Sequence, residues 1–308
     1  MDGAGERASC MKFIDGWSNM PMLTKDELVN EFADEILNSN VNKWFKTSGG
    51  SRGPGTSAED LVAMMDATGV EKTIISALHS WSHPDTRPRG VFQATAGQPD
   101  DIFDAFLEQM ATATANHRGR LYGSALIDPM GGLRAYKQLD RAVKDYGCVA
   151  IRVMAAMFGE PYDHPLYYPI YAKCAELGVP ITMNLGFPGP MRSAKLQHPA
   201  LLDDILLAFP ELTVVGTHIG HPWHLETLAL LQKHPNFYLM TSGWSPKYIP
   251  TEIVHFMNTR GKSQVIWASD FPLLSVERAA SDALELPLKD DAMQAYCHDN
   301  CLEVFKLG

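Results

Sequence analysis

Eight short runs of almost unbroken apolar residues, each followed by a stretch of helical periodicity, limit what this chain can fold into more than any other feature. The runs are KFIDGW (12–17), KTIISAL (72–78), LYGSALI (121–127), CVAIRVM (148–154), PITMNL (180–185), LTVVGTH (212–218), FYLMTSG (237–243) and VIWASDF (265–271). Strands covered on both faces read this way, whereas a half-solvated strand would alternate apolar with polar residues. Between them lie segments such as SAEDLVAMMDATG (57–69), which opens at a serine cap and closes at a glycine, and YYPIYAKCAELG (167–178), which ends in the same way. Buried parallel strands alternating with helices predict an α/β fold, and eight such units close into a (β/α)8 TIM barrel. A single barrel domain is expected over 12–308, with residues 1–11 as a flexible tail.

Composition excludes several partners. The 308 residues carry 36 acidic against 26 basic side chains, a net charge of −10, so no basic field is present to attract nucleic acid or an anionic membrane surface. Nowhere do about 18 apolar residues run together, and the first residues lack the apolar core of a secretion signal. Five scattered cysteines without a CxxC pair suit reduced thiols in the cytoplasm. Nothing in the sequence fixes an oligomeric state, which leaves room for a homo-oligomer.

The reactive residues of a TIM barrel sit at the C-terminal ends of its strands. Those ends carry Trp17 and Asn19, His79 and His83, Asp128, Arg152, Asn184, His218, Ser242 with Trp244, and Asp270. Asp270 directly follows a buried apolar strand, where a carboxylate is expensive to desolvate unless something uses it; the competing structural reading is a helix cap. His218 ends the sixth strand on the same face and is either a proton carrier or a hydrogen-bonded core histidine. Arg152 interrupts the apolar run VAIRVM, so it either pairs internally with Asp270 or clamps a substrate carboxylate with two N–H groups. The irregular segment 38–56, with four glycines, one proline and three basic residues, follows the first strand and reads as a substrate lid in which Lys46 and Arg52 would meet an anion. Arg192, on the loop after the fifth strand, is a second candidate clamp.

The order FIDGWSN, LIDP, IRVM, YYPIYAKCAELGVPITMNLG, GTHIGHPW, WASDFP and NCLEVFKL resembles the amidohydrolase-related family over about residues 12–307. The branch it looks most like contains aminocarboxymuconate-semialdehyde and gamma-resorcylate decarboxylases. The resemblance implies a (β/α)8 barrel acting on small carboxylated ring compounds by hydrolysis, hydration or decarboxylation. It places His218 at the family's sixth-strand histidine and Asp270 at its eighth-strand aspartate, which binds metal and handles protons. It also implies that Trp17 and Asn19 stand where the family has two first-strand histidines, and Asn184 where it has a fifth-strand histidine. Neutral amide and indole groups are poor ligands for a divalent transition metal, so no metal and no other cofactor is expected. A lactonase in the same family, which hydrolyses its substrate without metal, offers a parallel.

On this reading Asp270 and His218 are the acid/base pair. Arg152, Asn184, Asn19, Trp17, His79, Arg52 and Arg192 bind a small carboxylated ring substrate, the amide and indole N–H groups stabilising any oxyanion. A metal-independent hydrolase ranks first, a non-oxidative decarboxylase of an aromatic acid second, and a non-catalytic barrel that binds an aromatic acid third.

Overall fold

The computed structural model describes residues 11–19, 57–76, 100–188 and 193–308. The proposed lid at 38–56 with Lys46 and Arg52, and His79, His83 and Arg192, lie outside the described residues. Eight parallel strands form one sheet in sequential order: β1 (Phe13–Asn19), β2 (Val70–Ser76), β3 (Leu121–Leu126), β4 (Ala150–Val153), β5 (Ile181–Asn184), β6 (Val214–Thr217), β7 (Phe237–Met240) and β8 (Val265–Ile266). The chain is thus the expected α/β TIM barrel.

The last strand departs from expectation. Regular pairing stops at Ile266, and the remainder of VIWASDF closes the barrel onto β1 through single contacts: Gly16 N to Trp267 O at 3.2 Å, Asp270 N to Trp17 O at 2.9 Å and Asn19 N to Phe271 O at 2.7 Å. Trp267 N already bonds outside the sheet, to Tyr296 O at 3.0 Å, and the backbone leaves the β region at Asp270, whose φ is 57°.

The helices follow their sequence signals. Helix α1 (Ala58–Thr68) opens with a reciprocal capping box: the Ser57 hydroxyl accepts from Asp60 N, and the Asp60 carboxylate accepts from Ser57 N, both at 3.1 Å. It stops at Gly69, in the left-handed conformation at φ 74°. Helix α2 (Tyr168–Leu177) ends likewise at Gly178.

Strand alternation sorts the core into two layers. Outward residues such as Ile75, Leu126, Ile151, Val153, Ile181, Met183 and Val214 pack beneath the helices in one large cluster. Inward residues Ile14, Ile74, Ala150, Val215, Met240 and Ile266 fill the barrel, joined by Cys301, Val304 and Phe305 of the C-terminal segment. Each fully buried aliphatic side chain contributes about 1.5–3 kcal/mol relative to exposure. The C-terminal segment therefore closes one end of the barrel interior, and the polar strand ends occupy the other. Among the described residues, no helix is long and apolar enough to cross a membrane.

Candidate active site

Asp270 is anchored by the first strand. Trp17 donates its indole N–H to Asn19 Oδ1 at 3.0 Å, and Asn19 Nδ2 donates to Asp270 Oδ1 at 2.8 Å and to Phe271 O at 3.1 Å. The Trp17 donor and both Asn19 amide protons are thereby engaged inside the protein. The expectation that they stand free to hold an oxyanion changes accordingly: they form a chain that fixes one carboxylate oxygen of Asp270. The other oxygen, Oδ2, has no hydrogen bond among the described residues and lies 4.0 Å from His218 Nδ1.

A second carboxylate, which sequence reasoning passed over, braces this seam from below. Asp15 is 1% exposed and accepts four hydrogen bonds. Two come from its own strand, Trp17 N and Ser18 Oγ, each at 3.1 Å; the others come from Ser269, its N–H at 2.9 Å and its hydroxyl. Ser269 Oγ in turn accepts from Phe271 N at 3.0 Å. The residues on both sides of Asp270 are thus fixed to one buried anchor, which is how a non-glycine residue is held at positive φ. An acidic residue inside the apolar run KFIDGW was the available signal.

Burial raises the Asp270 carboxyl to about 7, only partly offset by the positive charge of Arg152 and the Asn19 hydrogen bond, with the charge of Asp15 adding to the rise. Asp15 is raised to about 6 by burial, against the pull of its hydrogen bonds. Asp270 is therefore part protonated near about pH 7, the condition in which a carboxyl can give or take a proton.

On the opposite wall, His218 sits in the left-handed region at φ 66°. Its Nδ1 donates to the Ser242 carbonyl oxygen at 2.9 Å, and its Nε2 lies 2.9 Å from Asn184 Nδ2. Burial lowers its pKa to about 4, and the charge of Arg152 adds to that, outweighing the Ser242 hydrogen bond. Gly243 makes the approach possible. At φ 73° a Cβ there would stand 2.9 Å from His218 Nδ1 and 3.0 Å from Asp270 Oδ2.

Arg152 points into the barrel. It donates to Ser76 Oγ at 3.0 Å, and its Cζ lies 3.4 Å from the centroid of the Trp17 ring. No ion pair joins it to Asp270 within 4.0 Å, so the internal-pair alternative does not describe this structure. Burial lowers the Arg152 guanidinium to about 9, which still leaves it charged near neutrality. Its Nε and the Asn184 Oδ1 are buried without a hydrogen-bond partner among the described residues. An unmatched donor and an unmatched acceptor in the barrel are groups a ligand could satisfy.

A divalent transition metal would require about three or four nitrogen, sulfur or carboxylate ligands. Among the described residues, no three His, Cys, Asp or Glu side chains converge. His218 and Asp270 moreover have three of their four side-chain donor atoms committed to Ser242, Asn184 and Asn19. The described residues at this site do not fit such a metal.

Solved structures share this architecture. An uncharacterised TIM-barrel protein from Bordetella bronchiseptica superimposes with a TM-score of 0.74 at 19% identity, covering 96% of this chain and 99% of that one. A 5-carboxyvanillate decarboxylase from Sphingomonas paucimobilis gives 0.70 at 16% identity, covering 97% and 100%. A dihydroxybenzoic acid decarboxylase from a Polaromonas species, with bound manganese and 2-nitroresorcinol, gives 0.69 at 17% identity, covering 96% and 97%. At such identities the likeness speaks for the fold. No curated protein sequence matches the chain. The amidohydrolase family model, however, matches residues 40–307, most of the sequence. On that match and on the barrel that carries it, this chain belongs to the amidohydrolase family.

Proposed function

We propose that this barrel is a metal-independent, non-oxidative carboxy-lyase for small aromatic or ring-derived carboxylic acids, with Asp270 as the proton donor. The observation that carries the reading is the Asp270 carboxyl: Oδ1 is anchored by Asn19, Oδ2 is unengaged among the described residues, and its proton affinity is raised to about 7. In the protonated form, Asp270 gives its proton to the ring carbon that bears the substrate carboxylate. The bond between that carbon and the carboxylate then breaks, its electron pair returns to the ring, and carbon dioxide leaves. The Asp270 carboxylate regains a proton from water, which completes the cycle. Arg152, charged and with an Nε unmatched among the described residues, supplies the cation for the substrate's anionic group. With a net charge of −10 the protein does not steer an anion from a distance, so short-range contact must do the recognising. Decarboxylases of ring acids among the solved neighbours support the same class.

The hydrolase reading uses Asp270 as a base on water and ranks second, because it needs donors for an oxyanion. Trp17 Nε1 and the Asn19 amide, which were to supply them, are engaged in anchoring Asp270.

The two readings predict opposite pH dependence. An acid is active while protonated, so lyase turnover should fall as pH rises through about 7; a base is active while ionised, so hydrolase turnover should rise there. The experiment treats the protein with chelator and offers a panel of aromatic carboxylic acids in deuterated water. Expected are carbon dioxide and a product with one deuterium on the carbon that lost its carboxylate. Ring-opened acids in place of carbon dioxide, or turnover restored only by added manganese or zinc, would contradict the proposal.

A further inference from the structure

The two carboxyl-side and histidine-side groups of the site are not held alike, and the hydrogen bonds around His218 define its protonation more closely than the chemistry above requires. The Ser242 carbonyl oxygen can only accept, so at 2.9 Å the proton between them belongs to His218 Nδ1. A neutral imidazole has one N–H, so Nε2 then carries a lone pair and accepts from the Asn184 amide at 2.9 Å. If the Asn184 amide were turned round, its oxygen would face Nε2, and with Nδ1 bonded to the Ser242 carbonyl both ring nitrogens would carry protons; the other bond open to Nδ1, accepting from the Ser242 hydroxyl, is longer, at 3.4 Å. That imidazolium would stand near the charge of Arg152, with the Trp17 ring centroid 5.1 Å from its own. With Nδ2 toward Nε2, the oxygen of Asn184 is buried and has no hydrogen-bond partner among the described residues.

From this geometry we infer that Asn184 is a positioning residue: with the Ser242 carbonyl it locks His218 as a neutral imidazole protonated at Nδ1, so that Asp270 alone exchanges a proton with the substrate. His218 then acts as a fixed wall of the site rather than as half of a relay. Its Nδ1 proton is directed at Ser242 and not at Asp270 Oδ2, which is 4.0 Å away. This assignment deepens the carboxy-lyase reading and rests on it for the role of Asp270, but the state of the ring is measurable without any substrate.

The test is nitrogen-15 NMR of the histidine rings in the full-length protein near about pH 7, with the His218 signals identified by their disappearance in His218→Asn. Expected for the wild type is one protonated nitrogen, Nδ1, and an unprotonated Nε2. In Asn184→Asp the carboxylate can only accept, so Nε2 should gain a proton and the ring should become doubly protonated. Asn184→Ala removes the donor while keeping the Ser242 bond, so its ring should stay protonated at Nδ1 with the Nε2 signal shifted by loss of a hydrogen bond. A wild-type ring protonated at Nε2, or at both nitrogens, would overturn the inference. So would identical ring signals in the wild type and both variants. Inactivity on every aromatic acid, with the Nδ1 pattern intact, would instead remove the lyase reading and leave the lock standing.

Discussion

The two walls of the site, the β1–β8 seam and the β5–β7 face, hold their ionisable groups in opposite ways. At the seam, Asp270 has one oxygen tied to Asn19 and the other unengaged among the described residues. On the facing wall, both ring nitrogens of His218 are bonded, to Ser242 and to Asn184. Burial drives both groups toward neutrality, Asp270 upward to about 7 and His218 downward to about 4. The direction is the same in physical terms and the outcome differs, because only the carboxyl is brought to the pH at which a proton can come and go. A buried site can therefore contain two titratable groups and use one of them for proton transfer.

The largest break in that contrast comes from removing the working carboxyl. Asp270→Asn keeps the acceptor for Asn19 and deletes the acid, so turnover should fall by about 100-fold to 10,000-fold in a decarboxylation assay. The same substitution should stabilise the fold at alkaline pH. An unfolded Asp ionises near about 4, whereas the folded carboxyl does so near about 7. The native state thus retains a proton that the unfolded chain has lost, and wild-type stability declines as pH rises through that window. Above it the Asn variant, which has no charge to bury, should be the more stable by a few kcal/mol, on the order of the raised proton affinity. Denaturant titrations of both proteins below about pH 4 and above about pH 7 would show the crossing over.

Gly243→Ala attacks the junction between the walls. The new Cβ meets both His218 Nδ1 and Asp270 Oδ2 at about contact-breaking range and imposes a side chain at φ 73°, so a loss of roughly 1–3 kcal/mol in stability is expected together with reduced turnover. Ser269→Ala tests the seam alone. It removes the hydroxyl that Asp15 and Phe271 N both use, and should lower stability by roughly 1–3 kcal/mol while leaving the nitrogen-15 pattern of His218 unchanged. Smallest of all, His218→Asn should reduce turnover by only about tenfold, since it removes a wall and not the acid. A loss equal to that of Asp270→Asn would restore His218 to a proton relay.

The barrel was legible because its signals are local and repeated. Each strand announces itself by an apolar run, and Ser57, Gly69 and Gly178 stop and start helices by rules that depend on a few neighbouring residues. Asp270, His218, Arg152 and Asn184 were also readable, as polar residues ending or interrupting buried strands. What the sequence did not disclose was how they are partnered. Trp17 and Asn19 read as donors for a ligand, yet Asn19 and Asp270 are 251 residues apart in sequence and meet only when the barrel closes. Asp15 and Ser269 were missed for the same reason: a buried carboxylate bonded across the seam looks, in sequence, like one polar residue in each of two strands. Arg152 was weighed against a pairing with Asp270, but it donates to Ser76 Oγ and stacks on Trp17 instead.

The most direct test of Asp270 as the proton-handling group is a carbon-13 titration of its side-chain carboxyl in chelator-treated protein, with Asp270→Asn identifying the signal. A midpoint near about 7 is expected, unaffected by added manganese or zinc. A midpoint at the ordinary aspartate value of about 4, or a signal displaced by stoichiometric metal, would contradict a metal-independent acid at this position.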